Sequence, residues 1–545
     1  MPESTGTPIP ISENFPVAWP DPQDKTLAWQ REYMHCPEAM PALAGDFWLT
    51  VWNGMDHSRE YSGAPRQALL CWINNYIYMA FKLTVEPDEE EAANKKAEEA
   101  RAAFGENVQT HWQEEFLPEI QDYIERWDRF DLEAASTTQL QQHMDETWDW
   151  LLRIWTLHFR LGSGHGRETF TNYYKELFGE DCDLAVVRRL VQGLPNKTTA
   201  MGQALWDLSL RLPREFAETI NENSADKIRA ALERSTIGKD FLAALDEFLA
   251  AFGHRGNHWG LQYPTWIEDP TPVFVMLRGY LSTERDPEAV FTAQTAEREQ
   301  ALSEVRGQLQ GYPQAARDRF EKLLDLAHVS EMLRENHNFW IDYSCTSRVR
   351  RLILAAGRHL VEAGIIVSAG DVLHLHEDEI RTAFANNLSE DLRALIASRQ
   401  TALEQFSAIE PPPHLGVELP PEDTDTTSEP PPPDEPGLLR GQPGAPGTAC
   451  GPARIVTSIA EAHTLAAGEI LVAQSTGPSL TPLFAIAGGL VTEIGGALSH
   501  CAVVAREYRV PAVVSLSDAR RQIADGQWIE IDGDAGTVRL VESAA

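Results

Sequence analysis

Proline has no backbone N–H and holds φ at about −65°, so a run of prolines ends any helix or interior strand. Two such runs stand close together here, Pro411-Pro412-Pro413 and Pro430 to Pro433. An acidic, Thr-rich stretch separates them, and Gly441-Gln442-Pro443-Gly444 follows. Residues 410–447 therefore read as a Pro-rich acidic linker, semi-rigid and extended at about 3.1 Å per residue. The chain on either side is expected to fold separately, as a large body before the linker and a small one, 448–545, after it.

The small body reads as mixed α/β. Ala453 to Val456, Glu469 to Ala473 and Gly489 to Thr492 carry strand signals, as do Ala512 to Ser515, Trp528 to Ile531 and Thr537 to Val541. Thr481 to Ala487 reads as a short helix. The apolar run at Val491 ends in Gly495-Gly496, and a small-residue helical segment, Ser499 to Tyr508, opens directly afterwards. Strand, tight turn and helix N-terminus follow one another, with His500 in the helix's first turn. Glycines at the turn allow φ > 0 and a close approach to the backbone. Free N–H groups and the positive dipole end of the helix favour an anion. The same field favours an unprotonated, nucleophilic ring nitrogen on His500. A nucleophilic nitrogen beside an anion cradle suits reversible phosphorylation.

The longer pattern is more specific. Thr492, Gly495-Gly496, Ser499-His500, Ala505-Arg506-Glu507 and Val510-Pro511-Ala512-Val513-Val514 together resemble the swivelling phosphohistidine domain of the PEP-utilising enzyme family. Asp525-Gly526 and Ile531 to Val538 resemble its closing strands. Leu498 stands where synthases and dikinases of the family usually carry threonine, which removes a hydroxyl from the turn. The resemblance implies that His500 is the phosphorylated residue. It also implies that Thr492, Gly495, Gly496, Ser499 and Arg506 support the phosphate and the turn.

Ahead of the linker, residues 1–45 read as a Pro- and aromatic-rich arm, with Phe15, Trp19, Trp29 and His35 expected to wrap over a core. Residues 46–409 read as a mainly α-helical substrate-binding domain. Asp88 to Ala103 is charged and Ala-rich, and Leu140 to Leu161 repeats its apolar residues at helical spacing. Fourteen of the fifteen tryptophans precede residue 411, enough rings for a core and for a pocket that takes a hydrophobic ligand. Two stretches concentrate chemistry. In Gly253-His254-Arg255-Gly256, flanking glycines present a base and an arginine fork suited to phosphate. In Arg334 to Tyr343, Glu335, His337 and Asp342 cluster among aromatics, where each is able to orient or deprotonate a hydroxyl. The plain alternative is a set of buried hydrogen-bond networks. Both stretches, with Asp371 to Leu375 and Glu379, resemble the substrate-binding domain of the rifampicin phosphotransferase branch. The N-terminal arm resembles the phenylphosphate synthase branch.

A net charge of −36 argues against nucleic acid and anionic membranes as partners. Six scattered cysteines have no metal-type spacing, so no metal site is expected, and they read as reduced thiols. Cys501 reads as a small buried residue. No leader or membrane span is read, which is the pattern of a soluble cytoplasmic protein. No Walker-type phosphate loop stands in the sequence. The 45 residues after His500 leave no room for a PEP-binding barrel. The expectation is a phosphotransferase component. A separate ATP-binding subunit, using Mg²⁺ and ATP, charges His500, which delivers the phosphoryl group to a hydroxyl of a small hydrophobic phenol or alcohol. His254 and His337 are the candidate bases, and Arg255 the phosphate clamp. The alternatives are an antibiotic or other natural product as acceptor, or a non-catalytic phosphocarrier.

Overall fold

A computed structural model describes residues 7–541 apart from 34, 162–164, 214–215, 217–224, 257–259, 282–285, 386–390, 419–436, 457–464, 477–482, 485 and 497–498. The chain forms two compact units. The first holds Met1–His165, Trp259–Gln262 and His337–Thr424, and the second holds Gly166–His258, Tyr263–Asn336 and Asp425–Ala545.

The first unit combines helices with an antiparallel four-stranded sheet. Its strands are β1 (Ala28–Arg31), β2 (Arg66–Ile73), β3 (Tyr76–Leu83) and β4 (His414–Gly416), in the order β2-β3-β1-β4. β2 and β3 form a hairpin through Asn74 and Asn75, whose φ values of 49° and 70° suit the tight turn that matches strand twist. Phe15 is buried against Tyr76, Tyr78 and Phe406, and Trp19 lies beside Trp29. The helix Ala42–Ser62 packs on Thr137–Leu161. Gly45 makes room for the Trp72 ring, which a Cβ there would meet at 2.1 Å.

The second unit carries helices and an eight-stranded sheet. Its strands are β5 (Leu438–Arg440), β6 (Gln442–Ala445), β7 (Thr448–Ile455), β8 (Ile470–Ala473), β9 (Gly489–Thr492), β10 (Ala512–Val514), β11 (Trp528–Asp532) and β12 (Thr537–Leu540). The order is β5-β12-β11-β7-β8-β9-β10-β6. β7 through β10 run parallel, and the outer pairs are antiparallel. Every residue of β8, β9 and β10 is buried, which is why these segments read as unbroken apolar runs. Leu471, Leu490, Ala512 and Val514 face one core, while Ile470, Val472, Val491 and Val513 face the other. The helix His500–Glu507 crosses from β9 to β10 and puts Ala502, Val504 and Ala505 into the first of these cores.

Three boundaries differ from the sequence reading. Both ends of the 410–447 segment join sheets, as β4 in the first unit and as β5 and β6 in the second. β4 and β6 are edge strands, where proline is tolerated because no neighbour asks for its missing N–H. Residues 419–436 lie outside the described residues. The 1–45 arm contains β1 and the start of the first long helix, and 46–409 holds a hairpin and is divided between the two units. Of the helix expected at Thr481 to Ala487, residues 481, 482 and 485 lie outside the described residues; Leu483, Phe484 and Ala487 there are buried. No described helix is long and apolar enough to cross a membrane.

Candidate functional site

The turn after β9 is held by contacts at both of its ends. Thr492 ends the strand, fully buried, and its carbonyl accepts the Leu516 N–H at 2.9 Å. Glu493 pairs with Arg520 at 2.9 Å and holds the outer side of the bend. Gly495 has φ of 119°, and a Cβ there would stand 2.9 Å from Ser499 Oγ. Gly496 is different. It lies outside the left-handed region, and the nearest atom to an added Cβ is Gln442 Oε1 at 3.7 Å. Only Gly495 needs to be glycine for the backbone's sake. Gly495→Ala is expected to destabilise the unit by about 1–3 kcal/mol, while Gly496→Ala changes it by less than about 0.5 kcal/mol. Urea unfolding of the two variants checks this, and equal effects would contradict it.

Ser499 caps the following helix, its Oγ accepting the Ala502 N–H at 3.4 Å. His500 is the helix's first residue, at the carboxyl end of a central parallel strand, where open α/β sheets bind ligands. Its backbone is described and its side chain is not. Ala497 and Leu498 lie outside the described residues. Cys501, one residue on, is buried facing the hydroxyls of Thr476 and Thr492, and burial pushes its thiol up to about 11. At pH 8 a thiol of that acidity is thiolate about one time in a thousand. Iodoacetamide at pH 8 is therefore expected to alkylate exposed Cys450 and spare Cys501, as read by peptide mass; equal labelling would overturn this.

Arg506 stands at the far end of the same helix, six residues or about 9 Å along the axis from His500. Its Nη1 donates to the Gly444 carbonyl at 3.1 Å, and its carbonyl accepts from Gln294 Nε2 at 2.9 Å. Burial, then the Arg167 guanidinium, brings its acidity to about 9. It lines a cavity of about 440 Å³ with Arg167, Arg188, Arg509, Gln294 and Glu331. This places Arg506 as an anchor of the helix's C-terminal end.

In the second unit, Arg255 and Glu335 meet inside the protein through Thr198. The Thr198 hydroxyl donates to Glu335 Oε2 at 2.6 Å, and Arg255 Nη2 lies 3.5 Å from that hydroxyl. All three residues are 1% exposed. Next in the chain, the Lys197 N–H donates to Asn336 Oδ1 at 3.0 Å. Thus Arg255, expected to clamp phosphate, is part of an interior network here. His254 beside it is half-buried, and His258 and Trp259 lie outside the described residues.

His337 and Asp342 belong to the first unit. A regular helix would set residues five apart at about 140° around its axis. Here Asn338–Cys345 is a π-helix, whose wider i→i+5 turn returns Asp342 to the side of His337. His158, from the helix Thr137–Leu161, completes the group: its Nδ1 stands 3.2 Å from Asp342 Oδ1, and its ring 4.7 Å from that of His337. Trp155 and Phe159 flank His158, and Trp52 stacks on Phe159. Sequence reading missed His158, which lies in an amphipathic helix with no local signal beyond its aromatic neighbours. Asp371 and Glu379 serve the fold instead. Asp371 accepts the Ser368 N–H at 2.8 Å in a capping box, and Glu379 pairs with Arg399.

Known proteins share these parts. Residues 163–335 match the rifampicin phosphotransferase fourth domain, and residues 465–536 match the mobile domain of PEP-utilising enzymes. Chondramide synthase cmdD of Chondromyces crocatus is 35% identical over 99% of this chain and 14% of its own length. Rifampicin phosphotransferase of Streptomyces sviceus is 31% identical over 64% of this chain and 40% of its own length. Prodigiosin synthesizing transferase PigC of Serratia marcescens is 33% identical over 53% of this chain and 32% of its own. The chain thus spans less than half the length of each of these relatives. The match to the mobile domain of PEP-utilising enzymes is centred on the β9–His500 turn, and the match to the rifampicin phosphotransferase fourth domain precedes it, so in these two parts the chain is similar to PEP-utilising enzymes.

Proposed function

We propose that this chain is a phosphotransferase component in which His500 carries the phosphoryl group. A separate subunit, using ATP and Mg²⁺, charges the ring nitrogen. An acceptor hydroxyl then attacks phosphorus, the P–N bond breaks with its electron pair returning to the imidazole, and a base takes the hydroxyl proton. His254 and His337 are the candidates for that base. The observation that carries the reading is the position of His500, first residue of a capped helix behind a glycine with φ of 119°, inside the matched mobile domain. Phosphoryl transfer asks mainly for positioning and for charge stabilisation at the phosphate, which such a turn supplies.

The acceptor is a small hydrophobic phenol or alcohol. The ring-lined surroundings of His158 and His337 favour an aromatic one, since rings recognise apolar ligands by area and shape. A natural-product acceptor is the second reading, favoured by relatives named for rifampicin and prodigiosin. The test is radiophosphate labelling with ATP and a candidate charging subunit, followed by a panel of phenols, alcohols and polyketide or peptide natural products. Acid-labile label discharged by one class of hydroxyl supports the reading and names the class. Label that no small molecule discharges makes the chain a phosphocarrier, and absence of label with every donor refutes the mechanism.

A further inference from the structure

The group His158, His337 and Asp342 lies in the first unit, outside both matched domains. One ligand atom from each residue comes within 4.8 Å of the other two. Asp342 is 6% exposed, and its Oδ1 and the Nδ1 of His158 are both buried without a hydrogen-bond partner although only 3.2 Å apart. Two potential ligand atoms thus face each other beside aromatic rings, close enough to bond yet misaligned for an N–H···O bond. A shared cation satisfies both at once.

We infer that His158, His337 and Asp342 form a binding site for a divalent first-row transition cation, of which Zn²⁺ is the reference case. Zinc bonds of 2.0–2.2 Å in a tetrahedron set ligand atoms roughly 3.4 Å apart. The His158–Asp342 pair already stands at 3.2 Å. The half-buried His337 ring closes the remaining distance by side-chain rotation. Two imidazoles and a carboxylate suit zinc, cobalt or iron, whereas Mg²⁺ and Ca²⁺ prefer oxygen alone. Three protein ligands leave a fourth position open, the arrangement of a reactive rather than a purely structural site. Trp155 and Phe159, with ring centroids 4.5 and 5.0 Å from that of His158, keep the surroundings apolar, which strengthens ion–ligand attraction.

The site stands on geometry alone and does not depend on the phosphotransfer reading. It has one consequence for that reading. A cation would occupy His337 as a ligand, leaving His254 as the candidate proton acceptor, and the open position would hold a hydroxyl oxygen of the acceptor.

The experiment titrates Co²⁺ into the full chain after removal of metal with a chelator. Visible absorption reports the coordination, and Zn²⁺ then competes the cobalt away. Wild type is expected to take up one Co²⁺ per chain with the spectrum of a nitrogen- and oxygen-ligated low-coordinate ion. Asp342→Asn and His158→Gln are expected to weaken binding by at least ~100-fold, beyond the loss seen when outer-shell partners are changed. Both replacements are near-isosteric, and thermal unfolding of the metal-free variants monitors their folding. Failure of wild type to bind in a one-to-one ratio overturns the inference. So does unchanged binding in both variants. If wild type binds no metal while Asp342→Asn still loses transfer activity, the inference also fails and the pair acts as a proton-transfer dyad.

Discussion

Replacing His500 with alanine is expected to abolish acid-labile phosphate on the protein and to lower transfer to any acceptor by at least ~10⁴-fold, the scale seen when a covalent nucleophile is removed. The effect is large because the reaction, as proposed, has no second route. The phosphoryl group reaches the acceptor only after bonding to this ring. The helix itself loses little, since its cap is Ser499 and its buried face is Ala502, Val504 and Ala505. Intact mass and label counting on wild type and His500→Ala, with unfolding midpoints as a control, give the answer. Label that persists on the variant would move the nucleophile elsewhere and remove the basis of the mechanism.

Glu335 gives the second large effect, and a different one. Its carboxylate shares the Thr198 hydroxyl with Arg255 in a place where all three residues are 1% exposed. Glu335→Ala takes away the carboxylate to which the buried Thr198 hydroxyl donates, and a buried polar group left without its partner costs about 1–3 kcal/mol, more beside a charged group such as Arg255. Glu335→Gln keeps an oxygen for Thr198 and is expected to cost less. Urea unfolding measures both. A loss under about 1 kcal/mol for Glu335→Ala, the range of exposed pairs, would show that the network is not what secures this part of the second unit. It would also return Glu335 to the candidates for contact with substrate.

What could be read from the residues depended on how far the deciding partner lay along the chain. β8 through β12 declared themselves because their burial is set by the sheet they join, and continuous or alternating apolar runs record it locally. The turn at Gly495 and the cap at Ser499 are local too. β4 was hidden, for it is three residues after a proline run and exists only because β1 offers an edge. The hairpin of β2 and β3 does carry a local signal, Asn74-Asn75 between two runs rich in aromatic and β-branched residues, inside a region whose longer segments are helical. At the site, His337 and Asp342 were visible as residue types, but their convergence was not. On a regular helix they point apart, and His158 arrives from a helix much earlier in the chain. Arg255 misled for the opposite reason. Glycine-flanked arginine looks presented to a ligand, and only the fold reveals that Thr198 and Glu335 already surround it.

The wide turn at Asn338–Cys345 also acts as a phase shift. Beyond it, within the first unit, Val349, Leu352, Ile353 and Ala356 keep a buried stripe. A π-turn amounts to one residue inserted into an α-helix, which is about 100° of rotation for everything downstream. Deleting a single residue between Phe339 and Ile341 would leave every side chain of the downstream stripe chemically intact and aim it wrongly, as a frame slipped by one position garbles a message whose letters are all correct. For the same reason, an unbroken helix here would turn Asp342 away from His337 and part the two side chains that the wide turn brings together.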